Sequence, residues 1–543
     1  MTTSPALRVT NTEPDDHSRK HSRATAYAAS GSWPLLVVVV ALSALAVWIV
    51  SPRFTIDGPS LVDDWAAISR SPDQLSRLVR LENPELERFR PSWIAWNYLQ
   101  WHTFDGPRGL VGPNAWNIVR LLVFVIGMTL LTALMLPRAR GLRETIIHAA
   151  LAGLPAFAVL TVPKFARDFA WFGPQEPLLL GGLALGGALL ALTARSLLDA
   201  SPVRRWPVAL AAVGGSFFWL VGVYQKEAAL CAIPLIAAAF YAGRAHLAGW
   251  RRVSRARRRG LVVLGLVAAL PLVHVAIEAL RIALRGDIVY GAQVDGGAGI
   301  KRGLRVLYDW SHEAMPLNAR YLMLAAVALV VVAALVRRKI DVLAVGALAA
   351  GALSIVFAAQ SGVAVSRYYI PIYALCAVAL SLSLARFPEV VQATGVLLVF
   401  FAFTPPTEPH AEVSRWSAEE QEHAKIVSLV ADLERSGCTV AAQSLDLETS
   451  VALPVLVKLD SPAGYRQCVP GGAYFVLPAY PPARLSLLRA CAPGRVQPIE
   501  LGRLLGVYAC SELRTGPIRD PDLGLVQPRQ LLAAYRFPRM LTR

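Results

Sequence analysis

The sequence predicts a polytopic α-helical membrane protein of about eleven transmembrane helices, followed by an extracytoplasmic C-terminal domain of α/β or α+β type. Three observations carry this. The chain has 543 residues, of which 55% are hydrophobic and only 17% charged, against about 25% charged in an ordinary soluble domain. The apolar surplus comes as long uninterrupted runs, and most arginines sit in the short gaps between them. Such a composition excludes a disordered chain, a collagen-like fibre and a typical cytosolic enzyme. The net charge of +17 and the pI of about 9.9 would suit nucleic acid. A nucleic-acid binder, however, clusters its Lys and Arg on a soluble face.

A membrane-crossing helix needs roughly 20 apolar residues, or about 17 at the short end. The runs that qualify are 34–50, 115–136, 145–162, 177–198, 207–223, 228–242, 261–284, 321–336, 342–359, 369–384 and 390–404. The run at 228 is short and the last two lie close together, so ten or twelve spans stay open. The first span is not a cleaved signal peptide: it follows a polar tail, 1–33, lacks an evident small-residue cleavage site and precedes further spans.

Positive charge sets the orientation. Arg19, Lys20 and Arg23 place the N-terminal tail in the cytoplasm. Alternate gaps then carry Arg138, Arg140 and Arg143; Arg204 and Arg205; Arg251, Arg252, Arg255, Arg257, Arg258 and Arg259; and Arg337, Arg338 and Lys339. With eleven spans, all of these face the cytoplasm, and the run at 251–259 reads as a topology anchor rather than a nucleic-acid patch. The intervening short gaps are poor in cations: Lys164 with Arg167, then Lys226, then Arg367. The expected organisation is a transmembrane module over 34–404 with an exterior loop at 51–114, a second exterior segment at 285–320, and an exterior domain over 405–543 in a multi-pass plasma-membrane protein.

Cysteine usage agrees. Cys231 and Cys376 lie in spans, whereas Cys438, Cys468, Cys491 and Cys510 all fall in the exterior tail. Four cysteines in an oxidising compartment predict two disulfides, with three pairings open. No Cys/His spacing of a zinc site occurs. In the same tail, Ser417-Ala418-Glu419-Glu420 reads as a capping box opening a helix that runs to Ser436, with Ile426, Leu429, Val430 and Leu433 on one face and Gly437 as its stop. Strands are expected at 439–442, 451–459 and 473–477. The tail carries no nucleotide-loop or hydrolase motif.

The chemistry-bearing residues gather in the exterior gaps. Asp63 and Asp64 lie side by side just beyond the first span. One could act as a general base, while the other orients an acceptor or holds a divalent cation, Mg or Mn being the only cofactor the chain suggests. The plainer reading is a helix cap. Arg90-Pro91 is followed by Trp93, Trp96, Trp101 and Phe104, whose spacing suggests one face of an amphipathic helix in the headgroup layer. Asp168 and Glu176 share the second gap with Lys164 and Arg167, and Lys226 and Glu227 form a tight turn in which they could pair with each other. Arg367 and Tyr368 open the tenth span; an arginine there suits a lipid phosphate or, more plainly, anchors at the interface. His274, Glu278 and Arg281 fall within the seventh span, where Glu278 and Arg281 are spaced to satisfy each other.

The order of these elements resembles the C-type (GT-C) superfamily of polytopic membrane glycosyltransferases. The residues that match are Asp63-Asp64-Trp65, Arg90-Pro91, Asn114-Ala115-Trp116-Asn117, Gly173-Pro174-Gln175-Glu176-Pro177, Lys226-Glu227 and Arg367-Tyr368-Tyr369-Ile370-Pro371. The first half looks most like bacterial relatives of the tetratricopeptide-bearing protein O-mannosyltransferases, although this chain has no such repeats. The likeness covers roughly 34–385. It implies transfer of a sugar from a polyprenyl-phosphate donor to an extracytoplasmic glycan, lipid or protein hydroxyl, with inversion at the anomeric carbon. Asp63 or Asp64 would serve as base. Arg367 and Lys226 would hold the donor phosphate, with Arg90, Asp168, Glu176, Glu227 and Tyr368 in support. Two other classes stay open: a transporter or flippase of a lipid-linked precursor, and a non-catalytic envelope scaffold. A transporter would place its ionisable groups near the bilayer midplane in related halves; no convincing internal repeat is visible, and the polar groups lie in the loops.

Overall fold

The computed structural model describes residues 33–55, 64–80, 90–103, 111–171, 176–198, 205–247, 254–285, 301, 304–305, 308, 317–360, 366–402, 405–443, 468–470, 472–478, 485–502 and 505–536. Each expected span is helical. The first helices are α1 (Trp33–Val50), α2 (Asp64–Val79), α3 (Pro91–His102), α4 (Val111–Met135), α5 (Leu142–Leu160), α6 (Pro163–Ala170) and α7 (Glu176–Leu198). Next come α8 (Arg205–Val223), α9 (Ile233–Leu247), α10 (Arg255–Arg285), α11 (Leu317–Arg337) and α12 (Val342–Gln360). Then follow α13 (Tyr369–Leu384), α14 (Glu389–Ala402) and α15 (Thr407–Arg435). Among the described residues, nine helical stretches are long and apolar enough to cross a membrane, and two shorter apolar helices cover Val342–Ala358 and Tyr369–Leu384. The expected span at 228–242 begins instead as a 3-10 turn, Glu227–Ala232, before α9. Pro234 lacks the N–H that a continuous α-helix would use there.

The centre of the bundle is α13, in which all sixteen residues are buried. A helix that is apolar on every side is stable only when surrounded, and α13 packs against α5, α11 and α12. Close approach of small residues sets the neighbouring helices. A Cβ added at Gly181 would lie 2.7 Å from the Phe124 backbone of α4, and one at Gly182 would lie 2.8 Å from Gly222 of α8. Helix α7 is thereby wedged between α4 and α8, which fixes its first residue, Glu176. By contrast α10 lies at the edge, with Val262, Leu266, Leu270 and Leu280 exposed.

The helices run alternately, so the loops divide between two ends. At one end the 3-10 turn Ser51–Thr55 and α6 both pack against α15, and α6 also touches the 3-10 turn Ser366–Tyr368. At the other end Arg386 Nε lies 2.6 Å from Asp341 Oδ2, and Arg195 Nη2 donates to the Leu134 carbonyl at 3.0 Å. The arginine-rich gaps that the structure describes fall at this second end.

Two expectations are corrected. The helix of the tail begins at Thr407, not at Ser417, and Ser417 lies buried in its interior. Pro406 starts it, and Val413 and Trp416 bury against the bundle, so tertiary packing extends the helix through the supposed cap. Its end is as expected: Gly437 follows with φ +76°, a left-handed conformation that glycine adopts without strain. The second correction concerns α3. Its buried residues are Ile94, Asn97, Gln100 and Trp101, while Trp93 and Trp96 are only half-buried. The buried face of α3 therefore mixes Asn97 and Gln100 with Ile94 and Trp101 instead of being a purely aromatic stripe; Phe104 lies outside the described residues.

Beyond α15 the chain forms a mixed four-stranded sheet. Its strands are β1 (Val440–Ala442), β2 (Ala473–Pro478), β3 (Val496–Leu501) and β4 (Leu505–Cys510), in the order β1-β2-β4-β3. β1 pairs parallel with β2, and the other pairings are antiparallel. The short helix α16 (Ser486–Ala490), the hairpin β5 (Ile518–Asp520) and β6 (Gly524–Val526), and α17 (Pro528–Ala534) complete this region. The strand expected at 451–459 lies outside the described residues. Disulfides join Cys438 to Cys468 and Cys491 to Cys510, while Cys231 and Cys376 stay reduced within the bundle.

Asp520 is buried at the end of β5. Its Oδ1 accepts the backbone N–H of Asp522 at 2.9 Å and of Leu523 at 3.0 Å, and its Oδ2 accepts the Tyr535 hydroxyl at 3.0 Å. Burial pushes this carboxyl up, but hydrogen bonds, those from the two N–H groups and Tyr535 among them, outweigh it and hold the group below its ordinary range. The Tyr535 hydroxyl is pushed up to about 12 by its own burial and by donating to Asp520.

Candidate functional site

The candidate site lies at the end of the bundle that α15 crosses. It is assembled from segments far apart in the chain. Glu176 is the first residue of α7 and is 2% exposed. Lys226 stands in extended backbone between α8 and the 3-10 turn that follows. Its Nζ lies 2.8 Å from Glu176 Oε1, with the two side chains 13% and 2% exposed. The same ammonium sits 4.2 Å from the centre of the Tyr368 ring, within range of a cation–π contact. The Arg367 guanidinium lies 5.8 Å from that ring and acts electrostatically on Glu176.

Four of the sequence-predicted residues, Glu176, Lys226, Arg367 and Tyr368, are thus brought together. The expected pairing of Lys226 with its neighbour Glu227 is corrected, because the ammonium turns to Glu176, 50 positions away. Extended backbone at Lys226 directs adjacent side chains apart, and burial of Glu176 requires a cation there. Glu227 is the first residue of the 3-10 turn. Glu176, Lys226 and Arg367 sum to one net positive charge. The carboxylate offsets one of the two cations, and the other is left in excess beside the Tyr368 ring.

Helix α3 braces this turn. The Ser92 N–H donates to the Tyr224 carbonyl at 3.1 Å, two residues before Lys226. Arg90, just ahead of α3, is buried with its guanidinium 4.0 Å from the Trp93 ring centre. Tyr224 also meets His274 Nδ1 at 3.1 Å, and Arg281 pairs with Glu278 at 2.5 Å, as their spacing suggested.

Asp168 lies on α6 and is fully buried. The structure shows what holds that helix. Arg120, 1% exposed in α4, donates to the carbonyl oxygens of Phe169, at 2.9 Å, and Trp171, and to Asn117 Oδ1. The Asn117 amide donates to the Ala170 carbonyl at 3.4 Å. Cation and amide together satisfy the last turn of α6, where carbonyls are otherwise left without helical partners. On the other side, the Trp171 and Trp416 rings are 5.6 Å apart, and Arg53 lies 5.8 Å from the Trp416 ring. Lys164 Nζ pairs with Glu412 Oε1 of α15 at 3.0 Å.

Arg53 and Arg120 were not singled out by the sequence, yet both are buried. The available signal was a cation inside or at the edge of an apolar run, which marks a buried partner or a functional group. Of the acidic pair, Asp64 opens α2, while its side chain and Asp63 lie outside the described residues. Among the described residues no group of three or more His, Cys, Asp or Glu side chains is arranged to hold a metal. The chain matches no family model and no curated protein.

Proposed function

We propose that the chain is a GT-C-type glycosyltransferase that moves a sugar from a polyprenyl-phosphate donor to a hydroxyl of an extracytoplasmic glycan, lipid or protein. The observation that carries this reading is the convergence of Glu176, Lys226, Arg367 and Tyr368 at one end of an apolar bundle. In this reading that end faces the exterior of a plasma membrane, the N-terminus is cytoplasmic, the eleven helices all span, and 405–543 stands outside. The donor phosphate lies against Arg367, whose fork matches two phosphate oxygens. Lys226 adds charge from within, and Glu176 fixes its position.

The reaction is a displacement. The acceptor O–H gives its proton to a carboxylate, Asp63 or Asp64, as its oxygen bonds to the anomeric carbon. The bond from that carbon to the phosphate oxygen breaks, and the lipid phosphate leaves with the electron pair. The cations stabilise the charge that builds on the leaving phosphate. A divalent cation at the acidic pair would assist in the same sense.

The test uses purified full-length protein in lipid with a radiolabelled polyprenyl-phosphate sugar. Transfer of label to an extracytoplasmic polymer fraction is expected. At least one of Asp63→Asn and Asp64→Asn should lower it by about 10²–10⁴-fold, the usual worth of a general base, with donor binding intact. Translocation of the donor lipid across vesicles with no bond broken would favour a flippase instead. Normal transfer by both single variants and the double variant would move the base to Asp168 or Glu176.

A further inference from the structure

At the opposite end of the bundle, the first turns of α10 line an open surface hollow with Arg255, Arg258, Arg259, Val262 and Val263. The spacing of these residues puts them on one face of the helix over two turns. The N–H of Arg257 donates to Ser254 Oγ at 3.4 Å and that of Arg258 to the Ser254 carbonyl at 3.0 Å, so the helix starts here and its positive dipole end adds to the three guanidinium groups.

Depth can be read from length. The 31 residues of α10 span about 46 Å at 1.5 Å per residue, against roughly 30 Å of hydrocarbon. The excess carries at least one end beyond the hydrocarbon, and Arg255, Arg257, Arg258 and Arg259 mark the first turns as an end at headgroup level. Val262 and Val263, 51% and 56% exposed, begin an apolar flank that continues through Leu266 and Leu270. Within this one face, cations give way to apolar side chains at the depth where a lipid changes from headgroup to acyl chain.

The balance of charge is equally specific. Arg386, at the same end, has Asp341 beside it. The sequence holds no Asp or Glu between Glu227 and Glu278, so the arginines of 251–259 have no nearby carboxylate in their own segment. Arg258 Nε is buried without a hydrogen-bond acceptor among the described residues. Orientation of the chain needs an excess of Lys and Arg in a loop; it does not need three of them on one helix face above an apolar flank.

We propose that this surface hollow holds the phosphate headgroup of an anionic phospholipid, with an acyl chain laid along Val262, Val263 and Leu266. The inference is independent of the activity proposed for the other end. Its test is native mass spectrometry of the full-length protein in detergent, titrated with phosphatidylglycerol, phosphatidylcholine or inorganic phosphate.

Three cations near the surface predict a preference for phosphatidylglycerol over phosphatidylcholine of roughly a hundredfold. The triple variant Arg255→Gln, Arg258→Gln, Arg259→Gln should lose it, while Arg337→Gln with Arg338→Gln, at the same end, should keep it. The triple lysine variant preserves charge and insertion but not the guanidinium fork; a fall of roughly two- to fivefold is expected. A preference unchanged in the glutamine and lysine triples would overturn the proposal. Equal loss in the Arg337/Arg338 control would reduce the site to general surface charge, and phosphate binding as tightly as the lipid would reassign it to a free anion.

Discussion

The helical bundle and the C-terminal region solve one problem in different ways. Both bury polar groups. In the bundle several charges rest on a few specific partners: Lys226 on Glu176, Arg386 on Asp341, Arg120 on Asn117 and two carbonyls that end α6. In the C-terminal region Asp520 is shared among several neutral donors, and covalent links at Cys438–Cys468 and Cys491–Cys510 carry part of the constraint. The difference follows from the surroundings. A helix bordered by hydrocarbon has no water to replace a missing partner, so a removed partner leaves an orphan. A small sheet bordered by water loses its contacts by degrees.

The sharpest way to break this comparison is at Lys226. Lys226→Met leaves Glu176 buried without its ammonium, which costs about 3–5 kcal/mol for a pair of this kind. Thermal unfolding in detergent should register the loss, and the proposed sugar transfer should fall by at least about 100-fold. The double variant Lys226→Met with Glu176→Gln removes both charges. It should recover most of the stability and none of the transfer. A single variant as stable as the parent would show that water reaches this end of the bundle.

A smaller and more local effect is expected from the second disulfide. Cys491 and Cys510 are separated by 19 residues, and opening a loop of that size is worth about 3 kcal/mol. Replacing both by serine should expose the sheet to limited proteolysis while the bundle melts unchanged. Arg120→Gln comes next, at about 1.5–3 kcal/mol for lost charge-assisted hydrogen bonds. Its signature is faster amide exchange confined to α6. Spread of that exchange through the bundle would mean that Arg120 holds more than one helix end.

These comparisons also explain what the sequence made legible. The apolar runs were readable because each had to be long and uninterrupted; each overlaps a described helix, although 228–242 opens as a 3-10 turn, and 369–384 matches α13 residue for residue. Charge pairing was less so. Glu278 and Arg281 are three apart, and spacing alone located them. Glu176 opens α7 and Lys226 lies three residues past the end of α8, and only the packing of α7 on α8 through Gly182 and Gly222 joins them. Order along the chain singled out each of the two, but not their contact. The supposed cap at Ser417 failed for the same reason: a local signal gave way to the burial of Val413 and Trp416. In the C-terminal region β3 to β6 went unread, since short strands among Pro and Gly carry little periodicity.

The smallest effect tests the other side of the comparison. Tyr535 donates to Asp520 at 3.0 Å, and Asp520 keeps the N–H groups of Asp522 and Leu523. Tyr535→Phe removes one donor of several, so it should cost only about 0.5–1.5 kcal/mol. The pH dependence identifies the contact. The tyrosine is pushed up to about 12 in the folded protein, against about 10 unfolded. A raised value means that the folded state holds its proton more tightly. Its contribution is therefore complete below pH 10 and is lost as the pH climbs towards 12. Asp520 is shifted the opposite way, so its contribution is complete above the unfolded value near 4 and disappears as the pH falls below it. The parent sheet should thus weaken between pH 10 and 12, and Tyr535→Phe should lose the part of that alkaline slope due to Tyr535. An identical slope in the variant would assign the transition to another group and leave the Tyr535 hydroxyl without a share in holding Asp520.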